Sequence, residues 1–259
     1  MSALQLTVHQ VRFDLRAFLR NPRARVFTLA TPVILLLLLV GIFHNGTVTV
    51  GGETLKLAEY YVPHLIVVGV LGAAFGNLLT TIVAKRESGS LKRRRATPVP
   101  ASAIIGGDVV TSILTALVIA AVLILIGVLF FGVRVDAAGL GVVALLCVVA
   151  AASYAALAYA ASYFIGTVEA AAPAVQLITL PLYFLSGVFI PSPQLPAWLN
   201  DVMSYLPVSP LGTALQAAFV PATNGGSRFD GAALLVILVW GAAGLLFAMR
   251  RFSWSPHRR

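Results

Sequence analysis

Two apolar runs, Tyr61 to Val83 and Ala103 to Phe131, flank a segment that no bilayer core could hold: Lys85-Arg86-Glu87-Ser88-Gly89-Ser90-Leu91-Lys92-Arg93-Arg94-Arg95-Ala96-Thr97-Pro98. About 20 apolar residues cross the roughly 30 Å hydrocarbon core as a helix. Each run therefore predicts a membrane helix, and the charged segment between them must stay on one side. Composition agrees. Hydrophobic residues make up 59% and charged residues 10%, with a mean hydropathy of +0.94, whereas a soluble domain is about a quarter charged. The chain reads as an all-α integral membrane protein.

Six runs qualify or nearly qualify as spans: Val26 to Phe43, Tyr61 to Val83, Ala103 to Phe131, Ala138 to Ile165, Ala170 to Ile190 and Ala232 to Met249. Of the 18 lysines and arginines, all but Lys56, Arg134 and Arg228 fall in the N-terminal segment, the connection after the second run, or the C-terminus. The positive-inside rule then places both termini and the 85–98 segment in the cytoplasm, and an even number of spans agrees. The net charge of +9 and the pI near 10.3 follow from these flanking residues, so no nucleic-acid partner is expected. Cys147 is alone, inside an apolar run, and reads as a small buried hydrophobe. No cleavable signal peptide is expected, because an arginine-rich stretch precedes the first apolar run.

Before that run, Leu4, Val8, Val11, Leu15 and Phe18 share one helical face, while Gln5, His9, Arg12 and Arg16 occupy another; Asn21-Pro22 ends the pattern. This predicts an interfacial helix over 1–22, lying on the inner leaflet, or an ordinary lead-in packed on its own domain. The connection from Pro191 to Phe229 is divided by Pro191, Pro193, Pro196, Pro207, Pro210 and Pro221. Leu195, Leu199, Val202, Met203 and Leu206, then Leu211, Leu215, Ala218 and Phe219, recur at helical spacing. These pieces are too short to cross. They predict re-entrant helices at the outer interface over 191–229, with Trp198 and Tyr205 at headgroup depth.

No catalytic constellation is present. His9, His44, His64 and His257 are scattered, and no pair has metal-ligand spacing. There is no G-x-x-x-x-G-K-[ST] phosphate cradle, so the chain is expected not to hydrolyse ATP. Asn45-Gly46-Thr47 fits a glycosylation acceptor or simply a turn. Asp108 and Glu169 fall near span starts, where an anion suits a helix's first turn. Ion-coupled carriers usually carry ionisable groups near the midplane, and none is found. What remains is a pump for apolar or amphipathic cargo, energised from elsewhere. Asn77, Thr80, Thr81, Gln176 and Thr179, with Tyr183 and Phe184 near Pro181, either line a pathway or bond neighbouring helices. Gly72 and Gly76 form a G-x-x-x-G that permits close helix approach.

Two segments carry a family resemblance. Arg86 to Pro98 closely resembles the coupling-helix motif of type-2 ABC exporter permeases. Leu185-Ser186-Gly187-Val188-Phe189-Ile190-Pro191, followed by Leu195-Pro196, Trp198-Leu199 and Leu206-Pro207, resembles their second signature. The order, spacing and six-span frame extend the match over 1–259 as a single transmembrane domain. The drug-resistance branch, exemplified by daunorubicin-type antibiotic exporters, is most similar. The run Arg93-Arg94-Arg95 departs from the pattern, in which an apolar residue often interrupts the basic ones.

The resemblance implies a bacterial cell-membrane permease without its own ATPase. It pairs with a second, identical permease chain and two copies of an ABC ATPase subunit, and the partner binds ATP and Mg. This chain itself carries no cofactor and no metal. The resemblance places Arg86, Glu87, Gly89, Leu91, Lys92, Arg93, Arg94 and Pro98 at the contact with the ATPase, with Glu87 as the anionic contact. The basic run is equally a topogenic signal that binds anionic lipid. It implies a pathway through the first, second and fifth spans, with Asn77, Gln176, Thr179, Tyr183 and Phe184 as its lining. Ser186, Gly187, Phe189, Pro191 and Trp198 form the outer gate. The expected cargo is a hydrophobic or amphipathic drug or lipid; a lipid-linked glycan fits the same architecture, and an ion-coupled carrier fits less well.

The charge asymmetry makes a topology prediction. In cells whose Cys147 is replaced, the thiol of Ser90→Cys reacts with an impermeant reagent only after the membrane is opened; labelling from outside intact cells would reverse the assignment.

Overall fold

The computed structural model describes residues 11, 22–42, 46–95, 100–184, 186, 187, 189 and 196–252, excepting the side chains of 22–28, 94, 95, 101 and 197. The expected 1–22 helix, apart from Val11 and Pro22, lies outside the described residues, as do Pro98 and Pro191. The chain runs α1 (Pro22–Ile42), a hairpin of β1 (Thr47–Val50) and β2 (Glu53–Lys56), and α2 (Leu57–Glu87). It continues through α3 (Ser90–Arg95), α4 (Ala101–Phe131), α5 (Ala137–Ala161) and α6 (Val168–Phe184). Two short helices, α7 (Ala197–Ser204) and α8 (Val208–Phe219), precede α9 (Gly231–Arg251). The hairpin is antiparallel, with Val50 opposite Glu53 and a turn through Gly51 and Gly52, both at positive φ.

Local chemistry sets the helix ends. Asp136 accepts from the Gly139 N–H at the start of α5, and Asp230 accepts from the Ala233 N–H at the start of α9. Gly132 closes α4 in the left-handed region at φ 65°. Pro63 sits inside α2 and has no N–H for the carbonyl of Glu59; Nε2 of Gln216, on α8, donates to that carbonyl instead at 3.2 Å. The structure thus repairs the proline break by a tertiary contact.

The core forms around α2, whose residues from Tyr60 to Leu71 are all buried. Glycines bring its neighbours close. A Cβ at Gly69 would fall on the Ile119 side chain of α4. One at Gly241 would lie 2.4 Å from Ser153 Oγ and 3.0 Å from the Ser153 backbone of α5, and one at Gly244 would meet the backbone of Ala156 and Leu157. Helix association in lipid depends on such close backbone approach rather than on expulsion of water.

Among the described residues, α2, α4, α5 and α9 are long and apolar enough to cross a membrane. The other two expected spans coincide with shorter apolar helices, Leu29–Ile42 and Val168–Phe184. The fifth run was expected to continue to Ile190. Its helix ends at Phe184 because Ser186 and Gly187 form a turn with Gly187 at φ 78°.

The two short helices expected on the outer side are present, but they differ. On α7, Trp198 is exposed, as is the adjoining Tyr205. By contrast α8 is buried from Pro210 to Phe219 except at Thr213, packed on α2, α5 and α9. The turn between them is fastened by Tyr154, whose hydroxyl donates to Pro207 O, and by Trp240, whose Nε1 donates to Tyr205 O. The hairpin was not expected, since its residues fit a simple turn between spans.

Gly241→Val tests the packing. The added side chain meets the α5 backbone, so the variant loses about 1–3 kcal/mol of stability. Unfolding of the purified chain in mild detergent should show a lower midpoint, while Gly141→Ala, in open space on α5, should not.

Candidate functional site

The five residues expected along the pathway meet in one cleft. It lies between α1, α2 and α6 and has a volume of about 570 Å³. Asn77, Gln176, Thr179, Tyr183 and Phe184 all line it, and so does Phe189 from the outer-gate set. Thr31 and Thr80 add hydroxyls. No charged side chain is among the lining residues. The lining is thus apolar with a few neutral hydrogen-bonding groups, a composition suited to amphipathic rather than ionic occupants.

Why these residues converge is explained by α2. Between Gly72 and Asn77 the helix widens to π geometry, which inserts an extra residue and rotates the remainder of α2 about its axis. Thr80 Oγ1 lies 2.9 Å from Asn77 O and 3.2 Å from Gly76 O, so its hydroxyl donates into the carbonyls at the end of the widened turn. The two glycines face α6: a Cβ at Gly72 would lie 3.5 Å from the Tyr183 hydroxyl, and one at Gly76 would lie 3.2 Å from Val175 Cγ1. The G-x-x-x-G spacing therefore permits the approach of α6. Tyr183 completes it by donating to Val68 O at 3.4 Å. Thr179 Oγ1 donates to Val175 O within α6, so it lines the cleft with its proton already committed.

The outer-gate residues divide. Ser186 is buried and donates to Tyr183 O at 2.8 Å; the carbonyl of Gly187 accepts from the Tyr60 hydroxyl at 2.7 Å. Phe189 packs on Phe184 with ring centroids 4.9 Å apart. Together they fasten the end of α6 to α2. Trp198 stands apart on α7, outside the cleft lining.

At the opposite end of α2, three consecutive side chains reach three different elements. Lys85 Nζ contacts Asp108 Oδ1 of α4 at 2.7 Å, and Asp108 Oδ2 accepts from the Tyr159 hydroxyl of α5 at 2.6 Å. Arg86 is 1% exposed. Its Nη1 donates to Ser162 O at 2.8 Å and its Nη2 to Ile165 O, capping the carbonyl end of α5. Glu87 accepts from the Val168 N–H at 2.8 Å, at the first residue of α6. Gly89 then turns the chain at φ 68°, a conformation that suits glycine, and α3 begins. On α3, Leu91 is buried, whereas Lys92 and Arg93 are exposed. Of the residues expected to meet a partner, Lys92 and Arg93 have free surface, Glu87 is exposed while holding α6, and Arg86 is turned inward.

Sequence reasoning treats Asp108 only as a first-turn anion and does not connect it to Lys85 or Tyr159. The available signal is the burial cost itself: a carboxylate inside an apolar run calls for a cation, and Lys85 ends the preceding run. Arg86 gives no local signal, because its partners are backbone carbonyls beyond Ala161.

The Arg86 contacts predict a graded result. Arg86→Met leaves Ile165 O without the guanidinium donor, at about 1–3 kcal/mol, and Ser162 O with the Ile165 N–H at 3.4 Å, so unfolding should shift clearly. Glu87→Gln keeps an acceptor at the start of α6 and should shift little. Glu87→Arg replaces it with a cation at a helix N-terminus and should lose about 1 kcal/mol. A denaturation series on the purified chain orders the three; equal midpoints for Arg86→Met and Glu87→Gln would remove the capping role.

The geometry describes a helical membrane domain with a neutral cleft at one face and a fastened, basic segment at one end. The family model described as ABC-2 type transporter matches residues 6–220. No curated protein matches the chain. The chain belongs to the ABC-2 type transporter family and is a membrane-domain permease of an ABC transporter.

Proposed function

We propose that this permease is the membrane half of an ATP-driven exporter that moves hydrophobic or amphipathic molecules, drugs or lipids, out of the cytoplasm or inner leaflet. The observation that carries the reading is the cleft between α1, α2 and α6, lined by neutral polar groups, glycines and apolar side chains without a charge. An apolar cargo bearing a few hydrogen-bonding groups matches that lining. An ion-coupled carrier would need an ionisable group there.

In this reading the chain crosses a bacterial cell membrane six times with both termini in the cytoplasm. It works as a homodimer with two ATPase subunits, which bind ATP and Mg. The subunits press on α3 and the residues just beyond it, and Lys92 and Arg93 offer the exposed surface for that contact. Similarity to the drug-resistance exporters rests on the motifs at Arg86 to Pro98 and Leu185 to Pro191.

The test is reconstitution with the cognate ATPase in liposomes. Amphipathic cargo should stimulate ATP hydrolysis several-fold. Gln176→Trp, which fills the cleft, should abolish transport while assembly with the ATPase is retained. Undiminished transport by that variant would move the pathway elsewhere.

A further inference from the structure

At the end of the bundle opposite α3, a second cavity of about 470 Å³ opens between the α4–α5 connection and the chain that follows α8. It shares no residue with the cleft. Because α4 and α5 are both long and apolar enough to cross a membrane, the connection between them emerges at headgroup depth. The cavity has two kinds of wall. Val128, Val133, Phe219 and Pro221 are apolar, whereas Arg134, Asp136 and Arg228 are charged. Of the 18 lysines and arginines, Lys56, Arg134 and Arg228 are the three outside the basic clusters, and two of them share this cavity.

The fold places the two guanidiniums by different means. Arg134 lies between Val133, which is buried and donates its N–H to Gly127 O, and the half-buried Val135. The valines pin the link on either side. The Arg134 side chain is exposed and makes no hydrogen bond or ion pair with a described residue. Arg228 Nη2 lies 2.8 Å from Asp136 Oδ2, and its Nη1 donates to Ala218 O at 3.5 Å. Asp136 is itself fixed as the cap of α5 through the Gly139 N–H. Gly139 keeps α5 against the end of α8, since a Cβ there would lie 2.6 Å from Ala218 O. Two guanidiniums facing one carboxylate leave a positive charge uncompensated. It falls on Arg134, whose N–H donors are uncommitted among the described residues, and Arg228 has donors to spare from its five N–H groups.

We infer that this cavity binds the phosphate of a membrane phospholipid, with Arg134 as its main donor and Arg228 beside it. A guanidinium presents paired N–H groups that match phosphate oxygens, and lipid headgroups supply such anions at this depth. A free phosphate would use the arginines and leave the apolar wall idle. A phospholipid lays its glycerol and first methylenes against that wall and removes them from water. The site does not depend on the cargo reading of the cleft.

The full chain, purified free of lipid in a maltoside detergent, provides the test, with the unfolding midpoint as readout. A short-chain phosphatidylglycerol at millimolar concentration should raise the midpoint. The matching diacylglycerol, which lacks the phosphate, should not. Sodium phosphate at equal ionic strength should have little effect; a rise equal to the lipid's would overturn the lipid assignment. Arg134→Gln should leave the lipid-free midpoint unchanged, because its side chain holds no described residue, and should weaken phosphatidylglycerol binding about tenfold. Arg134→Lys keeps the charge without the fork and should weaken binding less. Lys56→Gln, the third basic residue of this end, should bind as the parent chain does. An equal response to diacylglycerol, full retention of binding by Arg134→Gln, or an equal loss in Lys56→Gln would overturn the site.

Discussion

The junction of α2 with its neighbours rests on one buried guanidinium. Arg86 is held by Ser162 O and Ile165 O, carbonyls at and beyond the end of α5. A buried cation is tolerated only with its donors satisfied, and the carbonyl end of a helix is the place where a cation gains most from the macrodipole. The guanidinium thus completes α5, and α5 fixes the direction in which Arg86 points. Lys85 and Glu87 extend the same anchor to α4 and α6. Because the three side chains are consecutive, the end of α2 is registered against all three neighbours at once.

Farther along α2, departures from regular helix decide where the cleft forms. Pro63 removes a donor, and the vacancy draws in Gln216 from α8. The π segment from Gly72 to Asn77 then widens the helix where α6 approaches. With Gly72 and Gly76 facing Tyr183 and Val175, α6 comes close enough for the Tyr183 hydroxyl to reach Val68 O. A straight, regular α2 would turn Asn77 and Thr80 to a different azimuth. Irregular backbone inside the membrane is accommodated only where protein groups satisfy it, and Thr80 does so through its bonds to Gly76 O and Asn77 O.

The sequence makes much of this legible. Apolar length identifies α2, α4, α5 and α9, and the motif residues around Arg86 and Ser186 fall at the two ends of α6. Asn77, Gln176, Thr179, Tyr183 and Phe184, named from the family resemblance, do share one cleft. What escapes is tertiary. The π geometry has no residue signature beyond small side chains. The burial of α8 depends on α2, α5 and α9 surrounding it, so its proline-divided sequence resembles a surface element. Glu87 reads as facing outward because its neighbours are charged; the Val168 N–H it accepts lies 81 residues away and only folding brings it near.

The two links that lead from the end of α2 to α5 and α6 are unequal. Arg86 makes charged hydrogen bonds in a buried setting, about 1.5–3 kcal/mol apiece. Glu87 holds α6 by one contact at an exposed helix start, in the range of about 0.5–2 kcal/mol typical of an N-terminal cap. The weaker link is the one leading to the helix that bears Gln176, Thr179 and Tyr183. That helix is held farther along by Tyr183 on Val68 O and by Tyr60 on Gly187 O, so Glu87 is the outermost of its ties to α2.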